Sequence, residues 1–256
     1  MSQRIGAITG GSLNGARLPV LFLHGVGSDK RVWAPQLAHF GPRRGAIAAD
    51  YPGYGDSAFV ADATRTDYAE AMVDLLDRLE IERAHVCGLS LGGIIALEMA
   101  RHAPARVAGL VIADSFARHP DGTAIYDRSV EAASTIGMAA LAAARVDHLL
   151  GSDPPPGLRE EVIETMAAID PAAYRLGARA VWCADLREAA PRIPHPALVL
   201  CGSEDAVTPP ALSDALAALL PTARRADIAG AGHLANAERP GEFNALVEDF
   251  LAELDT

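Results

Sequence analysis

Basic residues are in short supply: Lys and Arg number 22 against 33 Asp and Glu, leaving a formal net charge of −11. Affinity for nucleic acid rests largely on clustered Lys and Arg, so this balance argues against a phosphate-backbone partner. Cysteine is equally sparse. Cys87, Cys183 and Cys201 are odd in number, far apart, and form no C-x-x-C or other metal-ligand spacing. All three are therefore read as structural, with no metal and no disulfide framework expected. No apolar run approaches the ~18 residues of a membrane-spanning helix. The first residues also lack the basic segment and long apolar run of a secretory signal. These absences lead to the expectation of a cytoplasmic protein without membrane or nucleic-acid partners.

What is present is ample for a core. Of 256 residues, 50% are hydrophobic and 21% charged, which fits one large globular unit or a core with one insertion. Short apolar runs at residues 20–23, 46–49, 84–87, 110–113 and 197–200 alternate with longer stretches of helical spacing. Continuous apolar runs of this length suit strands covered on both faces, hence a parallel sheet. Residues 223–228 form a last candidate strand, and residues 5–9 with Asn14-Gly15 could form a leading hairpin. Helices are expected over 67–79, capped by Thr66 or Asp67, over 91–101, and over 242–254. The alternation breaks between residues 116 and 192, where the text is helical and carries no convincing strand. The reading is a sheet core, residues 1–115 and 191–256, with a helical insertion at 116–190.

The strongest local signal is Gly88-Leu89-Ser90-Leu91-Gly92-Gly93, directly after one strand and directly before an apolar helix. A serine on such a sharp turn exposes its hydroxyl above the sheet edge, and Gly88 and Gly92 leave room for the turn and for helix–strand contact. The Leu91 N–H then faces the oxygen that turns negative when Ser90 attacks a carbonyl. Serine needs a base, and the base an orienting acid. The chain order expected of this architecture is Ser, acid, His. Asp205 follows one strand and His233, in Gly230-Ala231-Gly232-His233, follows the last. All three sit beyond the carboxyl ends of strands, where ligands bind in such sheets.

The rivals are few. Glu204 neighbours Asp205, and Asp114 also ends a strand, making it the structural alternative for the acid. Among the histidines, His39, His102, His119 and His148 read as solvated, His195 lies between two prolines, and His85 is inside a strand. His24 and His233 alone occupy glycine-flanked strand exits. His24 and Gly25 read as loop supports, with the Val26 N–H as second oxyanion donor.

These residues resemble the α/β-hydrolase family over essentially the whole chain. The matching pieces are His24-Gly25-Val26-Gly27, Asp50-Tyr51-Pro52-Gly53-Tyr54-Gly55-Asp56-Ser57, the turn at Ser90, Gly202-Ser203-Glu204-Asp205 with Pro209, and Gly232-His233. The resemblance implies an α/β fold with a mostly parallel eight-stranded sheet flanked by helices, and a helical cap inserted after the sixth strand. Within the family the chain is similar to the 3-oxoadipate enol-lactonases in Gly137-Met138-Ala139-Ala140-Leu141, Asp185-Leu186-Arg187 and His233-Leu234-Ala235-Asn236-Ala237-Glu238-Arg239-Pro240. It departs from them at Arg145-Val146-Asp147-His148-Leu149-Leu150, where those enzymes carry an aromatic-rich cap segment.

The expectation is a serine hydrolase of a small carboxylic ester or lactone, with Ser90, Asp205 and His233 catalytic and no cofactor, as a monomer or homodimer. Haloalkane dehalogenases and epoxide hydrolases of this fold use Asp where Ser90 stands. Carbon–carbon hydrolases of meta-cleavage products use Ser there and stay open, as do cofactor-free perhydrolases, which have nearly the same core, and a non-enzymatic ligand-binding role. The enol-lactone of 3-oxoadipate carries a carboxylate, which a chain at −11 repels unless a local cation compensates. Arg128, Arg145, Arg175, Arg179 and Arg187 are the insertion's candidates, and the enol-lactonase reading requires one of them to face the pocket.

Overall fold

Five of the apolar runs become strands in which every residue is buried: β2 (Val20–Leu23), β3 (Ala46–Ala49), β4 (Ala84–Leu89), β5 (Val107–Ala113) and β6 (Ala197–Gly202). The computed structural model describes residues 4–255. With β1 (Ala7–Gly10) and β7 (Ala223–Ile228) they form one sheet in the order β1-β3-β2-β4-β5-β6-β7. Only β1 runs antiparallel, against β3. The described residues thus contain seven strands where the resemblance implied eight. Asn14-Gly15 does not close a hairpin: residues 11–19 carry no strand, and β2 pairs with β3 and β4.

The strand period explains why both faces need cover. Leu21, Leu23, Val86, Leu110 and Ile112 belong to one apolar cluster, while Val20, Phe22, Cys87, Val111 and Ala113 belong to the other. Helices α2 (Arg65–Arg78) and α3 (Leu91–His102) supply the first face with Tyr68, Met72, Leu76, Ile94 and Ile95. On the second face α1 (Ala34–Phe40) brings Phe40, and α10 (Pro240–Leu254) brings Phe243, Val247, Phe250 and Leu251. Trp33 fills the space between them, its ring centroid 5.0 Å from Phe22 and 5.9 Å from Phe243. Burying each such large side chain contributes roughly 1.5–3 kcal/mol, so the sheet is held from both sides. Helix α2 starts earlier than its periodicity suggests, because Thr64 forms a capping box with Asp67.

Between β5 and β6 the chain forms α4 (Gly122–Thr135), α5 (Gly137–Leu149), α6 (Leu158–Ala167) and α7 (Pro171–Trp182). Beyond β6 lie α8 (Pro210–Leu219) and, after β7, the single turn α9 (Ala235–Glu238). Cys87 and Cys201 are buried as expected, whereas Cys183 is exposed just past α7. Among the described residues no helix is long and apolar enough to cross a membrane.

The loops after β2 and β3 are tied by one buried cluster. Asp50 accepts from the Lys30 N–H at 2.8 Å, from Lys30 Nζ at 2.6 Å and from the Asp56 N–H at 3.1 Å. Lys30 Nζ also donates to Asp56 Oδ2 at 2.7 Å, and Lys30, the only lysine in the sequence, is buried.

Candidate active site

Because β2 through β7 are parallel, the residues that follow them emerge at one edge of the sheet. Ser90 is the junction between β4 and α3, and the turn forces it to φ 54°, ψ −112°. This conformation is costly for a residue with a Cβ and holds only where the surroundings fix it. Four hydrogen bonds do so: the Ser90 N–H donates to Ala113 O at 2.9 Å, and Ser90 O accepts from Ser115 Oγ at 2.8 Å and from the Gly93 and Ile94 N–H groups at 3.0 and 3.3 Å. The flanking glycines are required by space. A Cβ on Gly88 would lie 2.1 Å from Gly92 O, and one on Gly92 would lie 2.0 Å from Leu23 O.

His233 and Asp205 meet across the loops after β7 and β6. His233 Nδ1 donates to Asp205 Oδ2 at 2.9 Å, since a carboxylate can only accept. The neutral ring therefore presents Nε2 as its proton acceptor. Thr208 Oγ1 donates to the same Oδ2 at 2.6 Å, while Asp205 Oδ1 accepts from the Val207 and Thr208 N–H groups at 2.8 and 2.9 Å. Burial disfavours the carboxylate, but the His233 and Thr208 interactions outweigh it and hold Asp205 at about 2. Close approach of the two loops again needs glycine, because a Cβ on Gly202 would lie 2.0 Å from Gly232 O.

Ser90 and His233 line one cavity of about 400 Å³, together with Gly25, Val26, Arg145, Leu149, Met166, Tyr174 and Trp182. Leu91 directly follows Ser90 at the start of α3 and Val26 lines the cavity, and among the described residues the backbone N–H of neither donates to another backbone group. The loop carrying Val26 is braced by two buried tyrosines: Tyr51 OH donates to His24 O and Tyr54 OH to Val26 O, both at 3.2 Å. His24 Nδ1 donates to Gly25 O at 2.8 Å. Burial pushes the His24 ring below its ordinary value, against the opposing pull of Asp50, so it sits neutral in the loop. A Cβ on Gly25 would meet Ser90 Cβ at 3.5 Å, ordinary contact, so this glycine is not demanded by space as Gly88 and Gly92 are.

The rivals fall away from the histidine. Glu204 is exposed and accepts from the Ser152 N–H at 2.7 Å and from Ser152 Oγ at 3.1 Å. Asp114 is buried at the end of β5 and accepts from the Gly202 N–H at 2.7 Å, but His233 bonds to Asp205. His119, read as solvated, is in fact buried between Phe116 and Trp182, with both rings 5.5 Å away. Phe116 lies three residues upstream, but Trp182 comes from the end of α7, a long-range contact that the sequence around His119 does not show.

Sequence reasoning missed Glu238. Its buried carboxylate accepts from the Gly151 N–H at 2.7 Å, the Gly232 N–H at 3.0 Å and the Leu234 N–H at 3.3 Å. It thereby clamps the His233 loop to the end of α5, and the His233 N–H adds a 2.8 Å bond to Leu149 O. The only signal was its place in the stretch running from His233 to Pro240. Of the insertion's arginines, Arg145 lines the cavity; Arg128, Arg175, Arg179 and Arg187 are exposed and do not.

Comparison with known proteins adds to this geometry. A family model described as "Alpha/beta hydrolase family" matches residues 20–246. The chain is 28% identical to 3-oxoadipate enol-lactonase 1 of Acinetobacter baylyi, over 92% of this chain and 89% of that one. It is 34% identical to 2-hydroxymuconate semialdehyde hydrolase of Pseudomonas sp. strain CF600, over 94% and 89%. The enol-lactonase structure from Burkholderia xenovorans LB400 superposes with a TM-score of 0.91 at 29% identity, covering 98% of this chain and 97% of that one.

Proposed function

The chain belongs to the alpha/beta hydrolase family, and on that premise we propose that it hydrolyses small carboxylic esters or lactones through Ser90, His233 and Asp205. The observation that carries the proposal is the 2.9 Å Asp205–His233 hydrogen bond beside a cavity that Ser90 also lines. His233 Nε2 takes the Ser90 proton as the hydroxyl attacks the carbonyl, then gives it to the leaving oxygen. Asp205 fixes the tautomer and stabilises the imidazolium as it forms. The Val26 and Leu91 N–H groups hold the oxyanion. Water activated by His233 then releases the acid and regenerates Ser90.

In this reading α4 to α7 act as a cap, residues 116–190, over the core of residues 1–115 and 191–256. The support is that Arg145, Leu149, Met166, Tyr174 and Trp182 from these helices complete the cavity wall. Likeness to two enol-lactonases favours a 3-oxoadipate enol-lactone type of substrate. The 34% identity to a semialdehyde hydrolase favours a second reading, cleavage of a carbon–carbon bond in a meta-cleavage product by the same three residues. Labelling by a fluorophosphonate tests the nucleophile. A hydrolysis screen over lactones, p-nitrophenyl esters and dienoate carbon–carbon substrates separates the two readings, and turnover of the dienoates alone overturns the first.

A further inference from the structure

Tyr54 stands between helix α7 and Val26 and touches both. It lies in the turn after β3, where its N–H donates to Tyr51 O and its carbonyl accepts from the Ser57 N–H, both at 2.9 Å. The glycines on either side, Gly53 and Gly55, hold φ at 87° and 48°. The ring is buried, and its hydroxyl donates to Val26 O at 3.2 Å. Burial raises the phenol well above its ordinary value, so the hydroxyl keeps the proton that it donates. Helix α7 is shaped around this group. Gly177 stands in the middle of α7, where glycine weakens a helix relative to alanine. The reason is space: a Cβ on Gly177 would lie 2.0 Å from Tyr54 OH, 3.0 Å from its Cζ and 3.2 Å from Val26 Cγ2. One helical turn earlier, Ala173 stands against Gly53, whose own Cβ would lie 2.9 Å from Ala173 Cβ. Two small residues on one face of α7 therefore seat it on the Tyr54 turn.

The direction of the Val26 N–H depends on the peptide planes on either side of its Cα. In the trans peptide between Gly25 and Val26 the N–H points opposite to Gly25 O. Gly25 O accepts from His24 Nδ1 at 2.8 Å and from the Ser28 N–H at 3.2 Å, which holds the first plane. Tyr54 holds the second plane by its carbonyl. We infer that Tyr54 is a positioning residue for the Val26 N–H, passing the seating of α7 on the core to the oxyanion donor. This inference rests on the serine-hydrolase reading, in which that N–H meets the oxyanion. Such a donor is effective only if its direction is fixed before the charge develops. A misdirected N–H therefore costs the transition state more than the bound ester, whose carbonyl carries less charge. The cap is then part of what stabilises the charge, besides being a wall of the cavity.

The test uses Tyr54→Phe, which removes only the hydroxyl, Gly177→Ala, which puts a methyl where the hydroxyl lies, and the two combined. Hydrolysis of p-nitrophenyl butyrate gives kcat and KM. Inhibition by 1,1,1-trifluoroheptan-2-one gives the affinity for a tetrahedral serine adduct that carries an oxyanion. Tyr54→Phe should lower kcat by about tenfold, short of the roughly 10²–10³ that follows loss of a whole donor, and leave KM within about twofold. Inhibition by the ketone should weaken by the same factor as kcat/KM, and fluorophosphonate labelling should still go to completion. Gly177→Ala should lose at least as much, and the double variant should return to the level of Tyr54→Phe, because the methyl then meets no hydroxyl. If Gly177→Ala does not accumulate as folded protein, the other two variants decide. A folded Tyr54→Phe with wild-type kcat and ketone affinity overturns the inference, as does a loss of kcat that leaves ketone affinity unchanged. Losses that multiply in the double variant overturn the link to α7. In all three cases the hydrolase reading stands. A wild type that turns over no ester and resists fluorophosphonate overturns the serine-hydrolase reading, and this inference with it.

Discussion

Asp114 and Asp205 end adjacent parallel strands and bring carboxylate oxygens within 4.8 Å of each other, yet only Asp205 bonds to His233. Their environments drive them in opposite directions. Burial and the neighbouring Asp205 charge push the Asp114 carboxyl well above its ordinary 3.8, while His233 and Thr208 hold Asp205 down against its own burial. Two carboxylates this close do not both ionise readily, and the fold assigns the charge to the one facing the imidazole.

Asp205→Asn should therefore lower kcat by about 10³–10⁴-fold, as when an imidazole loses its orienting carboxylate. Asp114→Asn should keep most activity and raise stability at pH 7, because an amide replaces a carboxyl that resists ionisation. Steady-state rates and urea midpoints decide it. A larger rate loss from Asp114→Asn than from Asp205→Asn sinks the assignment of the acid.

The depressed Asp205 value makes a prediction about acid. Folded Asp205 titrates at about 2 and an unperturbed Asp at 3.8, so between these pH values the unfolded chain binds more protons. The contribution, on the order of 2 kcal/mol, is complete above pH 4 and disappears as pH falls towards 2. Urea unfolding of wild type and Asp205→Asn should give stability differences that shrink over that interval and stay constant from pH 5 to 7.

Ser90 carries strain as well as the proposed chemistry. Ser90→Ala should abolish fluorophosphonate labelling and leave the melting temperature close to that of wild type. Ser90→Gly should also be inactive but melt higher, since a non-glycine residue at φ 54° costs roughly 1–3 kcal/mol that glycine avoids. Equal melting temperatures for the two variants contradict the strain.

The glycines separate space from function. Gly92→Ala places a Cβ 2.0 Å from Leu23 O, so it should fail to accumulate as folded protein. Gly25→Ala meets Ser90 Cβ at 3.5 Å, Leu89 O at 3.8 Å and Leu89 Cδ2 at 4.0 Å, all ordinary contacts, and should fold normally. Its activity should nonetheless fall, because the new methyl stands beside the attacking hydroxyl. Circular dichroism and turnover, measured on both, distinguish the two cases.

Strand positions were legible because β2 to β6 are buried on both faces and so read as unbroken apolar runs. Ser90, Asp205 and His233 could be picked out for the same reason: parallel strands deliver their exits to one edge. The leading hairpin failed because Asn14-Gly15 is a local turn signal, and pairing with β3 is a long-range choice that no turn encodes. Glu238, Tyr51 and Tyr54 were invisible as individuals. Their work is to accept or donate to backbone groups far along the chain, and backbone groups leave no mark in a sequence. Arg145 was one of five equivalent arginines until the packing of α4, α5 and α7 set it apart.

Lys30 offers a last consequence. An acylating reagent that attacks amines finds a single side-chain target in the whole sequence, and the fold hides that amine between Asp50 and Asp56. Its modification must wait until the loops after β2 and β3 part. Those loops flank the Val26 backbone, so the speed of Lys30 acylation is a clock for how often the Val26 side of the cavity comes undone, readable by mass spectrometry on untagged, unmutated protein.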